Sequence, residues 1–312
     1  MQQLQKDRYT TRLNKKPEQI DRRERVIHAK RGSSPPISPS LIQDFERDGF
    51  VVLEDVFSPK EVARMRGTAN EMRDYPASLS DETVISERDS GAVRSVFAIH
   101  RQTSDFDVVA RDPRLADVAR YILGDEVYIH QSRLNYKPAF KGKEFYWHSD
   151  FETWHAEDGM PNMRALSMSV MLTDNHPQAG PVMFVPGSHE TFISCVGETP
   201  DDNYKSSLKR QETGIPDADS IAQLVDEGGI VAPAPKAGSV VIFDCNTLHA
   251  SNGNITPFER MNAFFVFNAW SNRLEKPFAA KSPRPEHIAH RRVESPLAPL
   301  SRVTGKVGRS SS

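Results

Sequence analysis

The twenty residues Phe145–Arg164 concentrate the side chains able to do chemistry. Within them His148 and Asp150 stand two apart, so on an extended chain both side chains leave the same face and can grip one ion. An imidazole and a monodentate carboxylate are two thirds of a facial triad. His249, 101 residues downstream and just after the apolar run Ser239–Phe243, is the candidate third ligand. Two histidines and one carboxylate occupy one face of an octahedral iron(II) and leave the opposite positions for a chelating oxoacid and dioxygen, which is an oxidation site. The His-x-Asp pair is weak evidence alone, because ten histidines among 42 acidic residues produce such pairs by chance. Arg260 adds context. It follows the turn signal Asn252-Gly-Asn254 and carries a planar fork able to clamp the far carboxylate of an oxoacid, although without His249 it reads equally as a strand-end surface residue.

Other reactive types nearby read as structural. His155 lies seven residues past His148, an odd separation that reverses side on a continuous strand. Glu157 and Asp158 read as neighbours in an exposed acidic loop, with nothing supplying glycosidase geometry. Gly187-Ser-His189 lacks the features of a nucleophile elbow, and His189 is expected to order a turn. Cys195 and Cys245 are too few for a disulfide framework or a thiolate cluster and read as packing residues.

These residues need a scaffold. The 312 residues carry 40 Lys+Arg against 42 Asp+Glu, a net charge of −2 that argues against a globally basic surface for nucleic acid. No run approaches the roughly 18 apolar residues of a membrane span, and residues 1–40 hold no apolar signal core, so a cytoplasmic protein is expected. Residues 1–31 hold ten Lys/Arg against four Asp/Glu and precede the proline-rich Gly32–Ser40, which predicts a flexible, solvated basic arm over 1–40. A single domain is expected over 41–295 and a flexible tail over 296–312. Ser40 is a plausible cap for a helix Leu41–Asp48 that ends at Gly49, before a strand Phe50–Leu53; Ser58-Pro-Lys-Glu61 opens a second helix. From Val127 onward the pattern is short β-rich runs: Val127–Tyr136, Leu166–Thr173, Pro181–Val185, Ser239–Phe243 and Met261–Ala269. Such spacing predicts a mainly β sandwich or barrel with flanking helices.

His148-Ser-Asp150, Gly180–His189, Gly238–His249 and Arg260 together resemble the phytanoyl-CoA dioxygenase family. Phe145–Arg164 is similar to the signature of that family's ectoine hydroxylases, and the similarity runs from about Leu41 to His290. The resemblance implies a double-stranded β-helix (jelly roll, cupin-like) core. It also implies hydroxylation of ectoine to 5-hydroxyectoine, using iron(II), O2 and 2-oxoglutarate, with release of succinate and CO2. It makes His148, Asp150 and His249 the metal ligands and Arg260 the co-substrate clamp, with Lys137 and Asn135 beside it. Gln131 matches a substrate residue, and period two puts it on one face with Asn135 and Lys137. Ectoine carries a delocalised amidinium and a carboxylate, so its pocket should offer aromatic faces and an anion donor. Trp154 and Phe264 are the aromatic candidates, the latter sharing parity with Arg260, and Arg284 is the candidate donor. The resemblance further implies a homodimer, with no nucleic-acid or membrane partner. Two other readings stay open: an oxygenase for another small amino-acid derivative or lipid-like acid, and a noncatalytic barrel that keeps a structural metal.

Overall fold

The computed structural model describes residues 7–13, 15–87, 91–208 and 211–300. Its strands are β1 (Glu18–Asp21), β2 (Phe50–Leu53), β3 (Val84–Ser86), β4 (Val93–Phe97), β5 (Val127–Lys137) and β6 (Phe145–His148), then β7 (Ala165–Met171), β8 (Val182–Phe184), β9 (Thr191–Ser194), β10 (Val240–Asp244), β11 (His249–Ser251) and β12 (Arg260–Ala269). Seven form an antiparallel sheet ordered β2-β10-β7-β12-β5-β4-β3, while β6-β11-β8 form a smaller sheet and β1 pairs with β9.

Alternation along the strands sorts side chains between the two faces of the large sheet. Met261, Ala263 and Phe265 of β12 pack with Val240 and Ile242 of β10 and with Met65, Leu115 and Ile122 of the helices Pro59–Asp74 and Pro113–Leu123. The intervening Phe264 joins Phe50, Met171 and Phe243 against Phe184 of the small sheet. Helices therefore cover one face and the small sheet the other, which is why β7, β10 and β12 are buried throughout. This is the jelly-roll core with flanking helices that the sequence predicted. A bulge between Val266 and Phe267 skips one residue of β5. Ile129 consequently faces the helices while Gln131 faces the other way.

The second helix begins as predicted, with Ser58 and Glu61 forming a capping box and Pro59 in the first turn. The first helix starts at Pro39 under Ser38 instead of at Leu41 under Ser40, because proline suits the first helical position. It ends at Gly49 with φ 78°, where a Cβ would also lie 2.5 Å from the His189 ring, so glycine is required twice over.

The basic segment is not a solvated arm. Tyr9 is fully buried with Phe151, Trp154 and Phe192, β1 pairs with β9, and the Arg12 and Arg22 side chains are 0% and 1% exposed. The arginines are buried because they meet carboxylates of the β-rich domain, namely Glu152 and Glu157 for Arg12 and Asp244 for Arg22. Composition cannot show such partners, which lie more than a hundred residues away. Met1–Lys6 lie outside the described residues. At the other end, the expected tail boundary at 296 is too early, since Leu297 donates its N–H to the Val127 carbonyl at 2.7 Å and its own carbonyl accepts from Arg120. Ser301–Ser312 lie outside the described residues. Cys195 and Cys245 are buried and unpaired, as packing residues should be.

Candidate active site

His148 ends β6 and faces His249, the first residue of β11, in antiparallel register, so the ladder itself sets the two rings side by side with centroids 4.2 Å apart. The extended chain expected through Asp150 stops one residue earlier. Ser149 keeps an extended backbone (φ −103°, ψ 139°) and caps a short helix Asp150–Thr153 by accepting from the Glu152 N–H. That single extended residue is enough to bring His148 and Asp150 to one side. One ligand atom from each of His148, Asp150 and His249 lies within 4.8 Å of the others, all three buried.

The surroundings fix the donor atoms. His148 Nδ1 lies 2.8 Å from the Tyr146 carbonyl and His249 Nδ1 2.9 Å from the Thr247 carbonyl. A carbonyl only accepts, so each Nδ1 carries the proton and each Nε2 offers a lone pair. Asp150 Oδ2 accepts from Ser167 Oγ at 3.2 Å, and its Oδ1 sits 3.7 Å from His148 Nε2. Burial pushes His148 down to about 3 and lowers His249 as well. For Asp150 burial acts upward, but His249, His148 and Arg133 outweigh it and hold the carboxyl below its ordinary value. Two neutral imidazoles and one carboxylate are the donor set suited to iron(II).

The turn delivering His249 is tightly held. Asn246 Nδ2 donates to the carbonyls of His189 and Thr191, and the Leu248 N–H donates to Ser188 Oγ. Arg22 grips both oxygens of Asp244 at 2.8 and 3.0 Å. The His189 carbonyl thus helps hold the turn before a metal-ligand candidate, while its ring Nε2 meets the Glu46 carbonyl at 3.2 Å.

All ten residues singled out in the sequence line one cavity. At one end, Arg260 pairs with Lys137 and Asn262 with Asn135 across β12 and β5. Arg260 Nε and one terminal guanidinium nitrogen are buried without a hydrogen-bond partner. Burial pushes Arg260 down to about 10, and burial together with the charges of Arg260 and Arg94 pushes Lys137 down to about 6. Lys137 Nζ donates to Ser251 Oγ at 2.9 Å and to the Asn252 carbonyl, and Asn135 Oδ1 accepts from Ser95. A buried guanidinium beside a buried amine, neither ion-paired to a carboxylate among the described residues, forms a receptor for an incoming carboxylate.

Arg133 belongs to this wall and was missed from sequence. It lines the cavity between Gln131 and Asn135, lies over the Phe264 ring at 4.8 Å and donates to Gln131 Oε1. The period-two spacing that sets Gln131 and Asn135 on the face of Lys137 puts Arg133 there too.

A second wall comes from the π-helical turn Trp154–Asp158, which continues the helix that starts at Asp150 and contributes Trp154 and Glu157 to the lining. Trp154 packs edge-on against His130 at 5.1 Å, and Gln131 Nε2 donates to the Ile288 carbonyl at 2.8 Å. Glu157 and Asp158 are not an exposed acidic loop. They are 3% and 0% exposed, because the turn tucks them inward against arginines distant in sequence. Arg12 reaches Glu157 at 2.7 Å and both oxygens of Glu152, and Arg284 takes both oxygens of Asp158, with Nε to Oδ1 at 2.8 Å. Arg284, expected as the donor to the substrate's carboxylate, therefore borders the cavity with Nε and one terminal nitrogen committed to Asp158. His155 is structural, as expected: Nδ1 meets the Met160 carbonyl at 2.8 Å, Nε2 meets Asp7, and the ring stacks on Phe278.

The sequence model of the phytanoyl-CoA dioxygenase (PhyH) family matches residues 45–262, the span that contains the triad, Arg260 and all of the cavity lining except Phe264 and Arg284. The chain belongs to the phytanoyl-CoA dioxygenase family. Among family members, the ectoine dioxygenase of Sphingopyxis alaskensis is 57% identical over 285 residues, covering 91% of this chain and 93% of that protein. The ectoine dioxygenase of Halomonas elongata is 46% identical over 286 residues, covering 91% and 86%. The structure also superposes on crystal structures of EctD from S. alaskensis. The form with bound Fe gives a TM-score of 0.85 at 50% identity, covering 94% of this chain and 98% of that one. The form with 2-oxoglutarate and 5-hydroxyectoine gives 0.83 at 51%, covering 93% and 99%.

Proposed function

We propose that this chain is an iron(II)- and 2-oxoglutarate-dependent dioxygenase that converts ectoine to 5-hydroxyectoine, with succinate and CO2 as co-products. One observation carries the reading: the three-residue metal group opens on the same cavity as the unpartnered guanidinium of Arg260. A structural metal site is closed by its ligands, whereas three donors on one side leave room for exchangeable guests, which favours catalysis over a noncatalytic barrel. The close relatives named for ectoine, and the similar structure holding 5-hydroxyectoine, favour ectoine over another small amino-acid derivative.

His148, Asp150 and His249 would hold iron(II), which when bound supplies the dioxygen chemistry. Arg260 and Lys137 receive the distal carboxylate of 2-oxoglutarate, with Asn135 and Arg133 beside it. Gln131, Trp154, Phe264 and Arg284 border the substrate. The buried rings of Trp154 and Phe264 keep bulk water from the reacting carbon. No described helix is long and apolar enough to cross a membrane. The reading includes a cytoplasmic homodimer, for which light scattering on the full chain is the check. Catalysis is tested by anaerobic loading with iron(II), addition of 2-oxoglutarate, ectoine and then air, with mass analysis of products. Equal amounts of succinate and 5-hydroxyectoine are expected. Oxygen consumption without 5-hydroxyectoine would remove ectoine as the substrate.

A further inference from the structure

The cavity is lined by six basic side chains, Arg94, Arg133, Lys137, Lys143, Arg260 and Arg284, and by three carboxylates, Glu87, Asp150 and Glu157. That balance suits the dicarboxylate 2-oxoglutarate but is hostile to a cationic ring unless one carboxylate faces it. Glu87 is paired with Arg94 at 3.0 Å, and Asp150 belongs to the metal group. Glu157 remains. It shares the π-helical turn with Trp154, so an aromatic face and a carboxylate are offered from one element. Its anchoring is one-sided: Oε1 accepts from Arg12 at 2.7 Å and from Asn203 Nδ2 at 2.8 Å, and among the described residues no donor reaches Oε2. A largely buried carboxylate with one oxygen fixed and the other lacking a protein donor is suited to receive an N–H from a bound cation.

We propose that Glu157 is the anionic contact for the substrate's positively charged ring and sets the site's preference for a cyclic amidinium over an uncharged ring. The inference rests on the ectoine reading above. Arg12 and Asn203 are then positioning residues, holding Oε1 so that Oε2 and the Trp154 ring meet the amidinium together. The N-terminal segment would thereby take part in substrate selection without touching substrate.

The test compares wild type and Glu157→Gln in steady-state kinetics with ectoine, and in binding of ectoine against a neutral cyclic amide acid of the same ring size. Glu157→Gln is expected to raise KM for ectoine about tenfold or more, leave KM for 2-oxoglutarate within about twofold, and erase the preference for the charged ring. A folded Glu157→Gln enzyme with wild-type KM and wild-type preference would overturn the proposal. Because that variant also loses the Arg12 pair, Asn203→Ala, which keeps the ion pair and removes one anchor, is measured beside it, with a severalfold rise in KM for ectoine alone expected. Wild type that binds the neutral ring as tightly as ectoine overturns the proposal whether or not either variant folds. Wild type that fails to hydroxylate ectoine at all refutes the functional reading, which is a separate outcome.

Discussion

The two walls of the cavity are built on opposite electrostatic plans. On the strand wall, Arg260 and Lys137 are buried as neighbours, with no carboxylate on either among the described residues and with two guanidinium nitrogens of Arg260 unsatisfied. On the helical wall the buried acids other than the metal-ligand candidate Asp150 each meet an arginine brought in from a chain end, Glu152 and Glu157 from Arg12 and Asp158 from Arg284. Unpaired buried charge is costly, so the strand wall is incomplete until a ligand carboxylate arrives. Paired buried charge is costly only to break, so the helical wall is rigid before any ligand arrives. The walls therefore divide the work: one binds by being satisfied, the other positions by being satisfied already.

Breaking the helical wall should cost the most. Arg12→Ala strands two buried carboxylates and is expected to lower folding stability by about 3–5 kcal/mol in denaturant titrations. The matching change on the strand wall should leave stability nearly intact or improve it, because Arg260→Gln removes an unpartnered charge. It is expected instead to raise KM for 2-oxoglutarate by roughly a hundredfold, through loss of a bidentate ion pair. If Arg260→Gln were the variant that unfolds, the division of roles would be wrong.

Acid should probe the helical wall in a milder way. Burial alone would raise the Asp158 pKa, but Arg284 and His130 bring it down to about 2, below the unfolded value near 3.8. A depressed native pKa gives stability that is complete above the unfolded value and is lost as pH falls from about 4 toward 2. Glu152 shifts in the same direction. Asp158→Asn should flatten that part of the acid-denaturation curve.

The smallest effect belongs to the strand wall. Burial pushes Lys137 down to about 6, so at pH 8 it is largely neutral before 2-oxoglutarate binds, and the incoming carboxylate should restore its proton. Calorimetry of 2-oxoglutarate binding in buffers of different ionisation enthalpy should find an uptake approaching one proton, and Lys137→Met should abolish it.

The strand wall was legible in the sequence once the family resemblance marked Lys137 and Arg260, because period two is a local rule that then places their neighbours. Arg260 and Phe264 share parity on β12, and Gln131, Asn135 and Lys137 share it on β5, with Arg133 available to the same rule. Continuation of that parity back to Ile129 fails only because of the bulge, which depends on pairing with β12. The helical wall was not legible. Nothing near Glu157 and Asp158 signals that arginines at positions 12 and 284 will bury them. The same gap turned the Tyr9–Arg22 region into an expected arm when it is a clamp on both ligand-bearing segments, through Arg12 to the Asp150 helix and Arg22 to the His249 turn. Buried ion pairs are made in three dimensions and leave no periodicity.

The proposed catalysis depends most directly on His148, Asp150 and His249 forming one metal centre. Anaerobic calorimetric titration with iron(II) should show one equivalent bound per wild-type chain, and His249→Ala, with an unchanged circular dichroism spectrum, should bind at least about a hundredfold more weakly. A folded His249→Ala protein that takes up iron(II) as tightly as wild type would contradict it.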